Sequence, residues 1–283
     1  MKIAIASGKG GTGKTTVAVN LYLAIEKYWD KNVTLMDCDV EEPNDVLFFQ
    51  DALVKEEKQV TQIIPEIDPD KCTYCRKCAE YCEFNAILII PPAQYIKVSP
   101  DLCHSCGACF VACQYDAIKE IPFHIGNIRH IDILKGNGLI EGRLKVGLPL
   151  QTPVIRKLKK EKAKTNGITI LDASPGTSCS VVNTISDCDY VILVAEPTPF
   201  GLHDLKLMVD LIYDLKKQFG VVINKANLGD NDIYKYLKTE NIELLTEIPF
   251  DKKIAESYAE GQLLSDVIEG YERYYITIIN KLK

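Results

Sequence analysis

Apolar positions along this chain fall into two spacings that alternate over most of its length. Short apolar runs at Lys2 to Ala6, Val33 to Asp37, Ile168 to Asp172, Tyr190 to Ala195, Val221 to Asn224 and Ile242 to Ile248 read as buried strands. Between them lie stretches with helical spacing. Thr15 to Tyr28 carries Val17, Val19, Leu21, Leu23 and Ile25 on more than one face, and Leu202 to Gln218 and Asp230 to Thr239 are also helical. Asn44 to Gln50 reads as a short helix or turn, and Thr152 to Lys164 as a basic helix. Strands alternating with helices predict an α/β, doubly wound, mainly parallel sheet covered on both faces, with ligands at the carboxyl ends of the strands. Val60 to Ile64 reads as one more strand, and Phe123 to Leu150 as irregular strands and loops. A last helical stripe, from Leu264 through Tyr271 and Tyr275 to Leu282, closes the chain.

The alternation fails between Pro65 and Glu120, where the chain repeats itself. Pro69-Asp70-Lys71-Cys72 is echoed by Pro100-Asp101-Leu102-Cys103, thirty-one residues on. Cys82-Glu83-Phe84-Asn85-Ala86-Ile87 is echoed by Cys113-Gln114-Tyr115-Asp116-Ala117-Ile118. Such a repeat predicts two similar half-units packed together. Between them, Leu88 to Ile90 and Tyr95 to Val98 flank Pro91-Pro92-Ala93 and read as a hairpin. Residues 65–120 are therefore expected to form an insert in a larger domain made of residues 1–64 and 121–283.

The first strand runs into Ser7-Gly8-Lys9-Gly10-Gly11-Thr12-Gly13-Lys14-Thr15-Thr16. Gly8 to Thr15 fits the phosphate-binding pattern G-x-x-x-x-G-K-S/T. A strand, a glycine turn and a helix N-terminus aim backbone N–H groups and the positive end of a helix dipole at an anion. Lys14 is expected to reach the β- and γ-phosphates of a nucleotide, and Thr15 to ligate Mg²⁺. Such a site needs carboxylates for the metal and the attacking water, and strand ends supply Asp37, Asp39 and Asp172.

Lys9, directly after Gly8, makes the loop resemble the deviant Walker A of the MinD/ParA/nitrogenase-iron-protein group of ATPases. The resemblance covers about residues 1–50 and 121–283. It implies that Lys9 crosses a dimer interface to the partner's nucleotide, so a homodimer closes on ATP. It also implies that Asp39 positions the attacking water. Asp172, in Asp172-Ala173-Ser174-Pro175-Gly176, matches the Asp-x-x-x-Gly switch, linked to Mg²⁺ through water. Asn224-Lys225 is similar to the segment that reads adenine, and Pro249-Phe250-Asp251 to the segment beside the base. The cofactors implied are ATP or ADP and Mg²⁺.

Eight of the eleven cysteines form two runs, Cys72-x2-Cys75-x2-Cys78-x3-Cys82 and Cys103-x2-Cys106-x2-Cys109-x3-Cys113. Both are the bacterial ferredoxin run, in which the fourth cysteine serves the other cluster. Two 4Fe–4S clusters are expected. Cys72, Cys75, Cys78 and Cys113 would hold one, and Cys103, Cys106, Cys109 and Cys82 the other. Zinc sites also use C-x2-C pairs, but tetrahedral zinc has no need of three cysteines at two-residue gaps plus a fourth. Glu83 and Gln114 stand where that run usually has proline. Cys38 and Cys188 read as small buried residues, while Cys179 falls just after the switch, where the nitrogenase iron protein has one of two bridging cysteines; the second has no counterpart between Phe123 and Thr152, so a structural or transient role is expected.

Composition narrows the function classes. The 283 residues carry a net charge of −6, which gives no basic field for nucleic acid. No apolar run is long enough to span a bilayer. In the closing stripe Asp266, Glu269 and Glu272 balance Arg273, Lys281 and Lys283, so it lacks a lipid-binding basic face. The first strand begins at once, so no leader is expected and the cytoplasm is the expected location. Arg156, Lys157, Lys159, Lys160, Lys162 and Lys164 make a local basic face that could dock an acidic redox partner. The expected function is ATP binding and hydrolysis coupled to electron transfer toward an unidentified redox protein. An iron–sulfur carrier of the Mrp type is the alternative.

Overall fold

The computed structural model describes residues 1–29, 31–133, 138–161 and 167–283. β1 (Lys2–Ala6) leads through the glycine loop into α1 (Lys14–Tyr28), and β2 (Val33–Asp37) follows. A 3-10 turn at Asp45–Phe48 precedes β3 (Leu53–Ile67). The cysteine-rich segment holds α2 (Lys77–Glu80), β4 (Ile87–Ile90), β5 (Tyr95–Val98) and α3 (Ala108–Ala112). Then come β6 (Ile118–Asp132), β7 (Leu139–Leu144), α4 (Gln151–Leu158), β8 (Ile168–Asp172) and α5 (Cys179–Ile185). The chain continues through β9 (Tyr190–Ala195), α6 (Pro199–Asp214), β10 (Gln218–Asn224), α7 (Asp232–Thr239) and β11 (Leu244–Ile248). It closes with α8 (Lys252–Ala259), α9 (Leu264–Val267) and α10 (Glu272–Leu282).

Nine strands form one sheet in the order β11-β10-β9-β1-β8-β2-β7-β6-β3. Neighbours from β11 to β7 are parallel, and β6 and β3 add on antiparallel. The period of two in β1 shows how both faces are used. Ile3 and Ile5 pack with Val17, Leu21 and Tyr22 of α1 and with Tyr275 and Ile278 of α10. Ala4 and Ala6 enter the opposite core with Val154 and Leu158 of α4, Val181 of α5 and Met208 of α6. The mainly parallel, doubly wound sheet expected from the pattern is present.

Two readings are corrected. Phe123 to Leu150 is not irregular: it contains most of β6 and all of β7. The strand expected at Val60 to Ile64 is the middle of the fifteen-residue β3, which pairs with β6 along its whole length. The period of two is hidden because the register shifts between Val60 and Thr61, where Ile125 has no opposite residue. A bulge of this kind re-aims every side chain beyond it. Pro65 and Pro122 are tolerated because β3 is an edge strand and β6 lacks β7 beside it at Pro122.

The closing stripe is interrupted, with Gly270 in the left-handed region (φ 72°) between α9 and α10, and its apolar face is core, as charge balance suggested. No helix among the described residues is long and apolar enough to cross a membrane. The basic helix α4 ends at Leu158, and Lys162 and Lys164 lie outside the described residues.

Ile128 on β6 is fully buried where the ribbon joins the α4 core, whereas Leu88 on the hairpin is half exposed. Urea unfolding is expected to show Ile128→Ala costing about 2–5 kcal/mol and Leu88→Ala staying within about 0.5 kcal/mol.

Candidate functional site

Parallel register assembles the nucleotide site. Ile5, Asp172 and Asp37 stand opposite one another on β1, β8 and β2, so two carboxylates meet the loop that follows β1. In that loop Gly11 and Gly13 are left-handed. A Cβ on Gly13 would lie 2.2 Å from Nδ2 of Asn224, so a side chain there would push Asn224 aside as well as strain the left-handed backbone. Lys14 Nζ donates to Asp172 Oδ1 at 2.7 Å, and Thr15 Oγ1 donates to Asp172 Oδ2 at 2.7 Å. All three residues are buried. Burial works against the Lys14 charge, but Asp172 outweighs it and the ammonium's pKa is raised.

Asp37 accepts the N–H groups of Asp39, Asn44 and Asp45. Complete burial, reinforced by the charge of Asp172, still holds its pKa well above the ordinary carboxylate value. Asp39 lines the cleft itself, and its pKa is pushed from 3.8 up to about 6 by burial, against the pull of Lys14.

The cleft, about 1140 Å³ including its open mouth, is bounded by Lys9 and the loop from Gly10 to Thr16. Asp39, Asn224, Lys225, Pro249, Phe250 and Asp251 also line it. The residues expected from the phosphate-loop and base motifs are thus brought together. Gly8 is the exception: it lies beneath the loop, where a Cβ would stand 2.5 Å from the Asp204 carbonyl of α6. Thr12 Oγ1 is buried without a partner, a donor left for a ligand.

Asn224 Nδ2 donates to the Thr12 carbonyl at 2.7 Å, so in this state it braces the loop. Lys225 Nζ donates to the Gly11 carbonyl at 3.1 Å and to Glu196 Oε1 at 2.5 Å. Lys9 Nζ is 3.3 Å from Glu196 Oε2. Glu196 therefore holds two cleft lysines. In the sequence it is marked only by following the strand Tyr190 to Ala195, much as Asp37 and Asp172 end theirs. Asn227 was also missed. Its Oδ1 accepts the Phe250 N–H at 2.6 Å, and its Nδ2 donates to the Phe250 carbonyl at 3.3 Å, which clamps the base-side segment. Asp251 accepts the Lys253 N–H at 2.9 Å and caps α8.

The cysteine segment repeats in its backbone as well as its sequence. Tyr74, Arg76 and Asn85 are left-handed, and so are Ser105, Gly107 and Asp116, each thirty-one residues later. Cys72 Sγ accepts the Tyr74 N–H at 3.4 Å, and Cys82 Sγ accepts the Ala86 N–H at 3.3 Å. Cys78, Cys109 and Cys113 share one apolar cluster with Ile87 and Ile118, and Cys103 and Cys82 share another with Ile64 and Ala86. A narrow cleft, about 480 Å³ only when its open mouth is included, is lined by Cys82, Cys103, Cys106 and Cys109 together. Burial raises the Cys78 thiol to about 11, with smaller contributions from Cys72, Cys109 and Cys113.

Among the described residues, no three His, Cys, Asp or Glu side chains are grouped to hold a single metal ion. Cys38 and Cys188 are buried, as expected, and Cys179 is exposed at the start of α5. His104, between two cysteines, stacks on Phe84 at 3.8 Å.

A strand–glycine loop–helix at the centre of a doubly wound parallel sheet, with Asp172 bonded to Lys14 and Thr15, defines a P-loop nucleotide-binding protein. Residues 3–264 match the CobQ/CobB/MinD/ParA nucleotide-binding domain, and the chain belongs to this family. It is 33% identical over 286 residues to the uncharacterized protein MJ0578 of Methanocaldococcus jannaschii, covering 100% of this chain and 96% of that one. The uncharacterized protein MJ0579 of the same organism is 32% identical over 274 residues, covering 93% and 90%. The septum site-determining protein MinD of Pyrococcus horikoshii, solved with Mg-ADP, superposes with a TM-score of 0.60 at 17% identity, covering 100% and 96%. The cell division ATPase MinD of Pyrococcus furiosus gives 0.56 at 19%, covering 100% and 99%. At these identities the structural likeness is one of fold.

The raised Asp39 pKa fixes the sign of a pH effect. The folded form holds its proton more tightly than the unfolded chain, so this stabilisation is complete below about 4 and is lost as pH rises through about 6. Asp37 and Asp45 are shifted in the same sense. Thermal unfolding of the protein without nucleotide or metal should show a midpoint that falls from pH 4 to 7, less steeply in Asp39→Asn.

Proposed function

We propose that this chain is an ATP-hydrolysing switch that controls electron transfer through two 4Fe–4S clusters held by residues 65–120. Membership of the nucleotide-binding family and the bonded set Lys14, Thr15 and Asp172 support the ATP half. Lys14 and Lys9 would neutralise phosphate charge, Thr15 and Asp172 would hold Mg²⁺, and Asp39 would orient water. The observation that carries the redox half is the cleft in which Cys82, from one run, joins Cys103, Cys106 and Cys109 of the other. Cys72, Cys75, Cys78 and Cys113 would hold the second cluster. Bound there, the clusters supply one-electron chemistry at potentials set by their surroundings. An electron would enter from a reduced donor protein and leave to an acceptor.

ATP would close a homodimer across the cleft, with Lys9 reaching the partner's nucleotide. Lys9 would first have to leave Glu196, so nucleotide binding and dimer closure would be exchanges of ion-pair partner.

Anaerobic purification should yield about eight irons per chain, with matching sulfide. Cys82→Ser should disturb the cluster of Cys103, Cys106 and Cys109, visible by electron paramagnetic resonance, and leave the other. If ATP alters neither cluster potential nor electron-transfer rate, the coupling is wrong. Rapid passage of a labelled cluster to an apo-protein would replace it with the carrier reading.

Glu196→Gln should lower the ATP concentration needed for dimerisation in sedimentation velocity. The pair is partly exposed, so the shift is limited to about fivefold.

A further inference from the structure

One buried carboxylate beside the loop is left out of every bond described above. Asp45 is fully buried, and neither of its carboxylate oxygens has a hydrogen-bond partner. Its position is fixed from both ends of the short turn that it opens. The N–H groups of Asn44 and Asp45 donate to Asp37 Oδ2 at 2.8 and 3.1 Å, and Phe48 is packed in the α1 core. The charged groups around its carboxyl are Asp37, Asp172 and Lys14.

Three carboxylates are thus buried with a single ammonium. The others are committed: Asp37 to backbone N–H groups, and Asp172 to Lys14 and Thr15. Asp45 has no N–H or O–H donor among the described residues and is held against the carboxyl of Asp172. A buried carboxylate without a partner is strongly disfavoured unless a cation meets it. When nucleotide phosphates draw Lys14 toward themselves, the shortage of positive charge at this point grows.

We propose that Asp45 is a carboxylate of the divalent-cation site that the loop completes with its nucleotide, beside Thr15 and Asp172. This rests on the loop's binding a nucleotide with Mg²⁺. Mg²⁺ typically takes one or two carboxylates together with phosphates and waters, so two carboxylates and a hydroxyl suffice without a preformed protein cage. Asp45 also makes the metal a condition of tight binding, because without it a fourth negative side chain, after Asp37, Asp39 and Asp172, stands near the phosphates.

The test uses Mn²⁺ as the spectroscopic probe and ADP as the nucleotide. Electron paramagnetic resonance titration of Mn²⁺ into the ADP complex should show affinity at least about tenfold weaker in Asp45→Asn than in the unaltered protein. In EDTA the same variant should bind ADP at least as tightly, and its thermal midpoint above neutral pH should rise because a buried acid that ionises only at a cost has gone. If Asp45→Asn does not fold, Asp45→Leu, similar in size and without an amide to satisfy, carries the same comparison. Mn²⁺ affinity within about twofold of the unaltered protein would overturn the inference and make Asp45 a neutral buried acid. Failure of the unaltered protein to bind ADP at all would instead bring down the nucleotide reading beneath it.

Discussion

The Asp172 carboxylate is the constraint on which the nucleotide site depends. It ends β8, next to β1 and β2, and its two oxygens bind the ammonium and the hydroxyl that the loop supplies. A one-residue slip of β8 would turn this carboxylate to the opposite face and leave Lys14 buried without an anion. The apolar alternation of β1, β2 and β8 therefore fixes the chemistry as well as the core. Ile3, Ile5, Leu35 and Ile170 face α1, and that face continues at the strand ends as Asp37 and Asp172.

The same rank continues toward the edge of the sheet. In register with Asp172 and Asp37 stand Glu141 on β7, Arg129 on β6 and Glu57 on β3. Glu141 is buried, Arg143 Nε donates to it at 3.0 Å, and Arg129 Nη1 lies 3.7 Å away. Arg129 Nε is in turn 3.4 Å from Glu57. A row of charged side chains therefore crosses five strands, from the P-loop to the two-stranded ribbon that carries the cysteines. In a packed sheet, a change in charge at one end of such a row is felt electrostatically by its neighbours, because the interior screens poorly. The ribbon itself is anchored by Ile125, Ile128 and Val60 in the α4 core.

The parallel strands and the phosphate loop were legible because each is a local signal: a run of apolar residues, or a fixed spacing of glycines. The sheet's antiparallel extension was not. Ile118 to Asp132 loses its period of two at the bulge beside Ile125, and a pattern that changes phase within a strand resembles a loop. The ligand-side residues divide in the same way. Lys14, Thr15, Asp39 and Asp172 belong to motifs of fixed spacing, whereas Glu196, Asn227 and Asp45 matter through what folds against them. Asn227 is a single polar residue after β10, and only the approach of Phe250 gives it a role. Asp45 looks like an ordinary turn acid in the sequence, and only its burial beside Asp37 distinguishes it.

The cysteine segment was legible as a repeat, and its packing adds what spacing alone cannot supply. If each run closed on itself, Cys82 would share surroundings with Cys78, and Cys113 with Cys103. The two runs interleave instead: Cys78 packs with both Cys109 and Cys113, and Cys103 with Cys82. The repeat is visible in the backbone too. Left-handed residues at Tyr74 and Arg76, and again at Ser105 and Gly107, precede short helices that hold the third cysteine of each run and end just before the fourth. A single ion needs its ligands gathered at one point, whereas a cubane spreads them over its corners. The lack of any mononuclear grouping among the described residues is therefore compatible with this arrangement.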